Sequence, residues 1–185
     1  DGMSKSEDID QADILFVNTC TIRENADDKL YGTLGQLKKW KEQSSDRRLI
    51  VGGCAAQKDK ELVRDRAPWV DVVIGTHNTN DVINLLNQSE DWGPITKIVE
   101  ETLDIETEIL PVRESGFSAF VTIQIGCNNS CTFCIVPSVR GVEISRRPSD
   151  IINEIKNLSK EGVKEITLLG QNVNSYGRDL MIDNK

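Results

Sequence analysis

The chain is predicted to be an α/β protein: a doubly wound parallel sheet, then the beginning of a second α/β domain. Three observations carry this. Short apolar runs, each ending in turn residues and followed by a helical pattern, occur three times before residue 89. Strands of parallel sheets are covered by helices on both faces, so they read as such continuous apolar runs. The pattern is lost over residues 89–115 and resumes from Ser118.

The first unit opens with Ala12-Asp-Ile-Leu-Phe-Val17, a buried-strand pattern that stops at Asn18-Thr19-Cys20. Thr21 and Glu24 form a capping-box pair, and a helix bearing Leu30, Leu34 and Leu37 is expected to about Trp40. The second strand, Arg48-Leu-Ile-Val51, ends in Gly52-Gly53-Cys54, with a short helix expected over Gln57 to Arg66. The third, Val70-Asp-Val-Val-Ile74, runs into Gly75-Thr76-His77, with a helix expected from Asp81 to Asn87.

Residues 89–115 are crowded with acids (Glu90, Asp91, Glu100, Glu101, Asp104, Glu106, Glu108) and punctuated by Pro94 and Pro111. They read as a self-repelling linker, with edge-strand pairing expected around Thr96 to Val99. Ser118 to Ile125 then alternates like a strand and ends at Gly126-Cys127. Pro148-Ser149-Asp150 opens a helix with Ile151, Ile152, Ile155 and Leu158 on one face, and Gly162 stops it. Glu165-Ile-Thr-Leu-Leu169 is the next strand, ending in Gly170-Gln171-Asn172. The expected domains are therefore 1–88, an acidic linker 89–115, and the start of a second domain over 116–185. Charge divides at the same place: residues 1–115 hold 14 basic and 23 acidic side chains, a net of −9, and residues 116–185 hold 8 and 7, a net of +1.

With 38% hydrophobic residues among 185, the chain has the apolar content for a packed core, which excludes wholesale disorder. The net charge of −8 argues against nonspecific DNA binding through a basic surface. No stretch approaches the ~18 apolar residues of a membrane span and no signal peptide opens the chain, so a cytoplasmic protein with no membrane partner is expected. The chain begins at Asp1 rather than Met, and its five cysteines cannot all pair internally as disulfides. Both features suggest a piece of a longer chain whose cysteines do chemistry.

Cys127-Asn-Asn-Ser-Cys131-Thr-Phe-Cys134 is a C-x3-C-x2-C loop directly after a predicted strand. Three thiolates so spaced can wrap one face of an iron–sulfur cluster, whereas a structural zinc site wants four closed ligands. No fourth ligand is near in sequence, and the single His77 lies in the other domain, so one metal position would stay open. The competing reading, three buried thiols packed as small hydrophobes, fits poorly with the polar, turn-forming residues around them. Cys20 and Cys54 are weaker signals, since an isolated cysteine is most often packing. Both follow predicted parallel strands, at the edge where ligands of open α/β sheets gather. Two thiols rarely hold a cluster, so a third ligand from upstream or outside the chain is expected.

These motifs resemble the radical S-adenosylmethionine methylthiotransferases, in particular the MiaB-type enzymes that act on tRNA. The resemblance rests on the cysteine triplet with Phe133 before its last member, and on Pro137, Arg140-Gly141, Glu143 and Ser145-Arg146-Arg147-Pro148 after it. It rests equally on Asn18-Thr19-Cys20-Thr-Ile-Arg23-Glu24-Asn25-Ala26, Gly53-Cys54-Ala55-Ala56-Gln57, Pro68-Trp69-Val70-Asp71 and Leu169-Gly170-Gln171-Asn172-Val173-Asn174. It covers nearly the whole chain.

The resemblance implies that residues 116–185 begin a radical-SAM partial (β/α) barrel. It also implies two 4Fe–4S clusters, one on Cys127, Cys131 and Cys134 and an auxiliary one on Cys20, Cys54 and a third cysteine. The first would bind S-adenosylmethionine and yield a 5′-deoxyadenosyl radical. The implied reaction is methylthiolation at C2 of N6-dimethylallyl adenosine beside the anticodon, with the auxiliary cluster as sulfur source and a second S-adenosylmethionine as methyl donor. Implied partners are the tRNA anticodon stem-loop and a flavodoxin-like or ferredoxin-like electron donor. The family's first N-terminal cysteine has no counterpart before Cys20, so this chain by itself is expected to be inactive.

Arg140, Gln171, Asn172 and Asn174 are candidate cofactor- or substrate-binding residues, placed at strand or loop ends where turn formation is the competing explanation. Arg146 and Arg147 are candidates for phosphate or carboxylate, or else surface arginines. His77 reads as a loop residue and Trp69 as packing. Alternative functions are a sister enzyme acting on threonylcarbamoyl-adenosine in tRNA or on a ribosomal protein, and a non-catalytic iron–sulfur electron-transfer module.

Overall fold

The computed structural model describes residues 3–20, 26–100 and 116–181. The chain divides into two compact units, Asp1–Glu100 and Glu101–Lys185.

The first unit is built on a four-stranded, all-parallel sheet in the order β1 (Ile14–Thr19), β2 (Arg48–Gly53), β3 (Val72–Ile74), β4 (Ile95–Lys97). Successive residues of a strand face opposite sides, and both sides of this sheet are apolar. On one side Leu49, Val51 and Val73 pack against α1 (Ala26–Glu42), α2 (Cys54–Asp59) and α3 (Leu62–Arg66) through Leu34, Leu37, Ala55 and Val63. On the other, Ile50, Val72 and Ile74 pack against Leu85 and Leu86 of α4 (Val82–Trp92). Helices on both faces give the doubly wound arrangement expected. Asp71 ties the layers: its carboxylate accepts the Leu49 N–H at 2.7 Å and pairs with Lys41 of α1 at 2.8 Å.

Three boundaries differ from expectation. The helix anticipated over 57–66 is two helices broken at Lys60, whose φ of 51° and ψ of −124° stop α2, and the first of them already begins at Cys54. α4 runs to Trp92, where Gly93 with φ 82° ends it, and β4 pairs with β3 from Val72↔Ile95 to Ile74↔Lys97. Residues 89–97 are thus part of the first unit, because exposed acids on a helix end do not oppose the burial of Leu86 and Ser89. The Thr21–Glu24 capping box lies outside the described residues.

In the second unit β5 (Ser118–Thr122) pairs in parallel with β8 (Glu165–Leu169), and β6 (Gln124–Ile125) pairs antiparallel with β7 (Ile144–Ser145). The single strand expected over Ser118 to Ile125 is divided at Ile123 because the backbone changes partner there. Its N–H donates to the Leu169 carbonyl at 2.8 Å, and its own carbonyl accepts the Arg146 N–H at 2.8 Å. α5 (Val136–Arg140), begun by Pro137, and β7 had no counterpart in the sequence reading. α6 (Pro148–Lys160) covers Ala119, Val121 and Ile123 with Ile151, Ile155 and Leu158, whereas Ile152, expected on that face, is 50% exposed. Among the described residues no helix is long and apolar enough to cross a membrane.

Candidate metal centres

The three cysteines of the triplet sit on the loop between β6 and α5. Gly126 begins it with φ 73°, and a Cβ there would lie 1.9 Å from the Val142 carbonyl oxygen, so only glycine permits this approach of loop and return strand. Cys127 follows, nearly buried, its N–H donating to the Gly141 carbonyl at 3.2 Å. Cys131 is exposed, and Cys134, half-buried, closes a turn through its N–H to the Cys131 carbonyl at 3.1 Å. Phe133 between them is 96% exposed. All five cysteines are free thiols. Among the described residues no group of three His, Cys, Asp or Glu side chains stands in an arrangement that holds a metal ion. The loop therefore supplies the donor chemistry an iron–sulfur cluster needs, soft thiolates closely spaced in sequence, without drawing them around one centre.

In the first unit Thr19 and Gly53 are register partners of β1 and β2, so Cys20 and Cys54 are the next residues of adjacent parallel strands. Cys20 is exposed; Cys54, 4% exposed, opens α2. The turn into Cys54 is made by Gly53 at φ 94°, and Thr19 Oγ1 donates to the Gly52 carbonyl at 2.8 Å to lock the strand ends. Gln57, one turn along α2 and 2% exposed, accepts the Thr76 N–H at 3.0 Å and donates to the Val99 carbonyl at 2.9 Å. It joins the end of β2 to the ends of β3 and β4. His77 is half-buried in the turn after β3. Trp69 donates from its indole to the Leu34 carbonyl at 2.9 Å, with Lys38 over its ring, which makes it a packing residue.

Of the other candidates, Arg140 is half-buried at the end of α5, where a cation complements the exposed carbonyls of the last turn. Gln171 and Asn174 are exposed and Asn172 half-buried, on the segment leaving β8. That segment and the loop to Cys127 emerge from the same edge. They are stitched together by Ile123 N–H to Leu169 O, and by Gln124 Nε2 to Ser175 Oγ at 3.2 Å. Arg146 is not available to a phosphate: its side chain is 9% exposed and donates at 2.7 Å both to the Thr122 carbonyl and to Glu154. Arg147 is exposed at the start of α6.

Three residues went unremarked in the sequence. Gln124 is fully buried with no partner for Oε1, and a Cβ on Gly170 would lie 3.1 Å from that oxygen. The available signal was an amide interrupting an apolar alternation. Asn128 accepts the Glu143 N–H through Oδ1 at 2.9 Å, a contact over 15 positions that no local pattern announces. Tyr176 donates its hydroxyl to the Arg146 carbonyl at 2.9 Å, and burial, reinforced by Asp179, raises its pKa above the ordinary 10.0.

Residues 1–75 match the family model described as uncharacterized protein family UPF0004, and residues 121–183 match that of the radical SAM superfamily. A tRNA-2-methylthio-N(6)-dimethylallyladenosine synthase of Corynebacterium diphtheriae is 50% identical over 171 residues, 92% of this chain and 33% of the relative. The enzymes of the same name from Tropheryma whipplei and Cutibacterium acnes are 53% and 52% identical over 91% and 94% of this chain, and 36% and 35% of their own lengths. The chain thus spans about a third of the length of the curated relatives it matches. A UPF0004 match followed by a radical SAM match, with this likeness running through both, makes the chain similar over nearly its whole length to about a third of the length of these tRNA-2-methylthio-N(6)-dimethylallyladenosine synthases.

Proposed function

We propose that the protein to which this chain belongs is a tRNA methylthiotransferase that acts at C2 of N6-dimethylallyl adenosine next to the anticodon. The observation that carries the reading is the C-x3-C-x2-C loop at the carboxyl end of β6, within the segment that matches the radical SAM model. The relatives' shared name supports the substrate.

In this reading Cys127, Cys131 and Cys134 ligate a 4Fe–4S cluster, and Cys20 and Cys54 contribute to an auxiliary cluster with a third ligand from elsewhere. When bound, a cluster with one open iron supplies an electron and a coordination site for S-adenosylmethionine. The chain's own part is to hold and orient. Gly126 brings the cysteine loop against the 141–142 backbone. Gln171, Asn172 and Asn174 offer amides at the edge from which that loop emerges, and Arg140 offers a cation for a cofactor carboxylate or tRNA phosphate. The tRNA anticodon stem-loop and a flavodoxin-like or ferredoxin-like donor are the proposed partners.

Anaerobic reconstitution with iron and sulfide, followed by spectroscopy of the reduced chain with and without S-adenosylmethionine, tests the cofactor reading. The spectrum is expected to change on adding S-adenosylmethionine, and to lose that change when Cys127, Cys131 and Cys134 are replaced by Ala. A reduced spectrum indifferent to S-adenosylmethionine would favour an electron-transfer module instead. The substrate is tested by nucleoside analysis of tRNA from cells lacking the full-length gene. Dimethylallyl adenosine without its methylthio group is expected, and unchanged methylthiolation of that nucleoside refutes the assignment.

A further inference from the structure

The loop that carries the three cysteines is fastened at its start to the strand opposite. We propose that Asn128 is a positioning residue for Cys127, holding the first thiol of the triplet in place through the backbone of Glu143. The inference rests on the reading of Cys127, Cys131 and Cys134 as cluster ligands.

β6 and β7 pair through only Gln124↔Ser145 and Ile125↔Ile144. A two-residue ladder is too short to hold a loop end by itself. Beyond it Gly126 turns with φ 73°, and the Cys127 N–H reaches the Gly141 carbonyl at 3.2 Å. After that turn the backbone leaves the return strand, and the next contact is made by a side chain. Asn128 Oδ1 accepts the Glu143 N–H at 2.9 Å, standing where a ladder carbonyl would stand had the strand continued. Cys127 is thereby bracketed, its own N–H bound on one side and the following side chain on the other.

The burial agrees. Cys127 is 9% exposed, and Glu143, whose amide Asn128 serves, is 8% exposed. An amide so placed has little water to turn to, so losing its acceptor leaves a donor unsatisfied rather than resolvated. Asparagine suits the position because its short side chain can present an oxygen to a main-chain N–H while its own backbone turns away. Cys131 is exposed and Cys134 half-buried. One ligand is therefore held before any metal arrives, and the other two close around it. Hydrogen bonds that orient a ligand from outside the coordination shell typically govern how long the metal stays.

The test uses the chain with Cys20→Ser and Cys54→Ser, so that only the triplet takes up iron. After anaerobic reconstitution, the visible absorbance is followed as an iron chelator strips the cluster. Asn128→Ala is expected to lose it roughly tenfold faster than the parent. Asn128→Asp, which keeps an oxygen acceptor, is expected to stay within about twofold of the parent, a rescue that general loosening of the fold would not give. If the Ala variant loses its cluster no faster, or the Asp variant loses it as fast as Ala, the proposal is overturned while the ligand reading stands. A parent that takes up no cluster overturns the ligand reading and the proposal with it. Amide exchange on the metal-free parent needs no substitution: the Glu143 N–H is expected to be protected, and fast exchange there overturns the proposal.

Discussion

Thr19 and Gly53 are paired across adjacent parallel strands, and Gly53 adopts φ 94° with a space that admits no side chain. A Cβ there would sit 2.4 Å from the Thr19 carbonyl oxygen and 2.5 Å from Asn18 Oδ1. The turn from β2 into Cys54 therefore depends on glycine twice, for its dihedral and for its contact.

Gly53→Ala should lower unfolding free energy in urea by on the order of 2–3 kcal/mol, combining backbone strain with the clash. Gly93→Ala is the control: its backbone, at φ 82° and ψ −172°, is as closed to a side chain as that of Gly53, but nothing lies within 4 Å of the added carbon, so only the dihedral penalty should appear and the loss should be the smaller of the two. Equal losses at the two sites would mean that the crowding at Gly53 has no energetic weight.

Lys60 is the one non-glycine residue with positive φ among the described residues, 51°, and it separates α2 from α3. Lys60→Gly relieves that strain and should stabilise the first unit by about 1 kcal/mol, read as a rise in melting temperature. The Lys60–Glu100 ion pair it removes is largely exposed and contributes little. Lys60→Ala, which keeps a Cβ at the same dihedral, should give no rise. A gain in the Ala variant would trace the effect to the ion pair instead.

Tyr176 links alkaline pH to the second unit. Its pKa is raised by burial first and by Asp179 second, against a lowering by Arg146. The folded state holds the phenolic proton more tightly than the unfolded state, so the unfolded chain releases it first as pH rises past 10.0. The stabilisation is complete below that pH and is lost as pH climbs through the higher folded value. Urea midpoints measured from about pH 8 to about pH 11 should fall less steeply for Tyr176→Phe than for the parent above pH 10. Identical slopes would remove Tyr176 as the source.

Strands β1, β2, β3 and β8 were legible because β-branched apolar runs bounded by glycine or asparagine are local signals. α6 was legible through Pro148 and the spacing of Ile151, Ile155 and Leu158. The missed break at Lys60 has no such sign, since lysine is an ordinary helix residue and nothing local marks its φ of 51°. Arg146 reads in sequence as a surface cation. Only the approach of Thr122 and Glu154 makes it an internal strut.

The linear order of residues determined the β–turn–α rhythm, the placing of Cys20, Cys54 and Cys127 after strands, and the C-x3-C-x2-C spacing on which the proposed cluster ligand set rests. Each follows from neighbours within one or two turns of chain, where steric and hydrophobic preferences act without help. Tertiary structure alone decided that Ile123 changes partner between Leu169 and Arg146, that a two-residue ladder closes the cysteine hairpin, and that Asn128 meets Glu143. Those contacts join residues 15 to 46 positions apart, counting 143 − 128 and 169 − 123, and they form only once burial has made an unpaired backbone group costly.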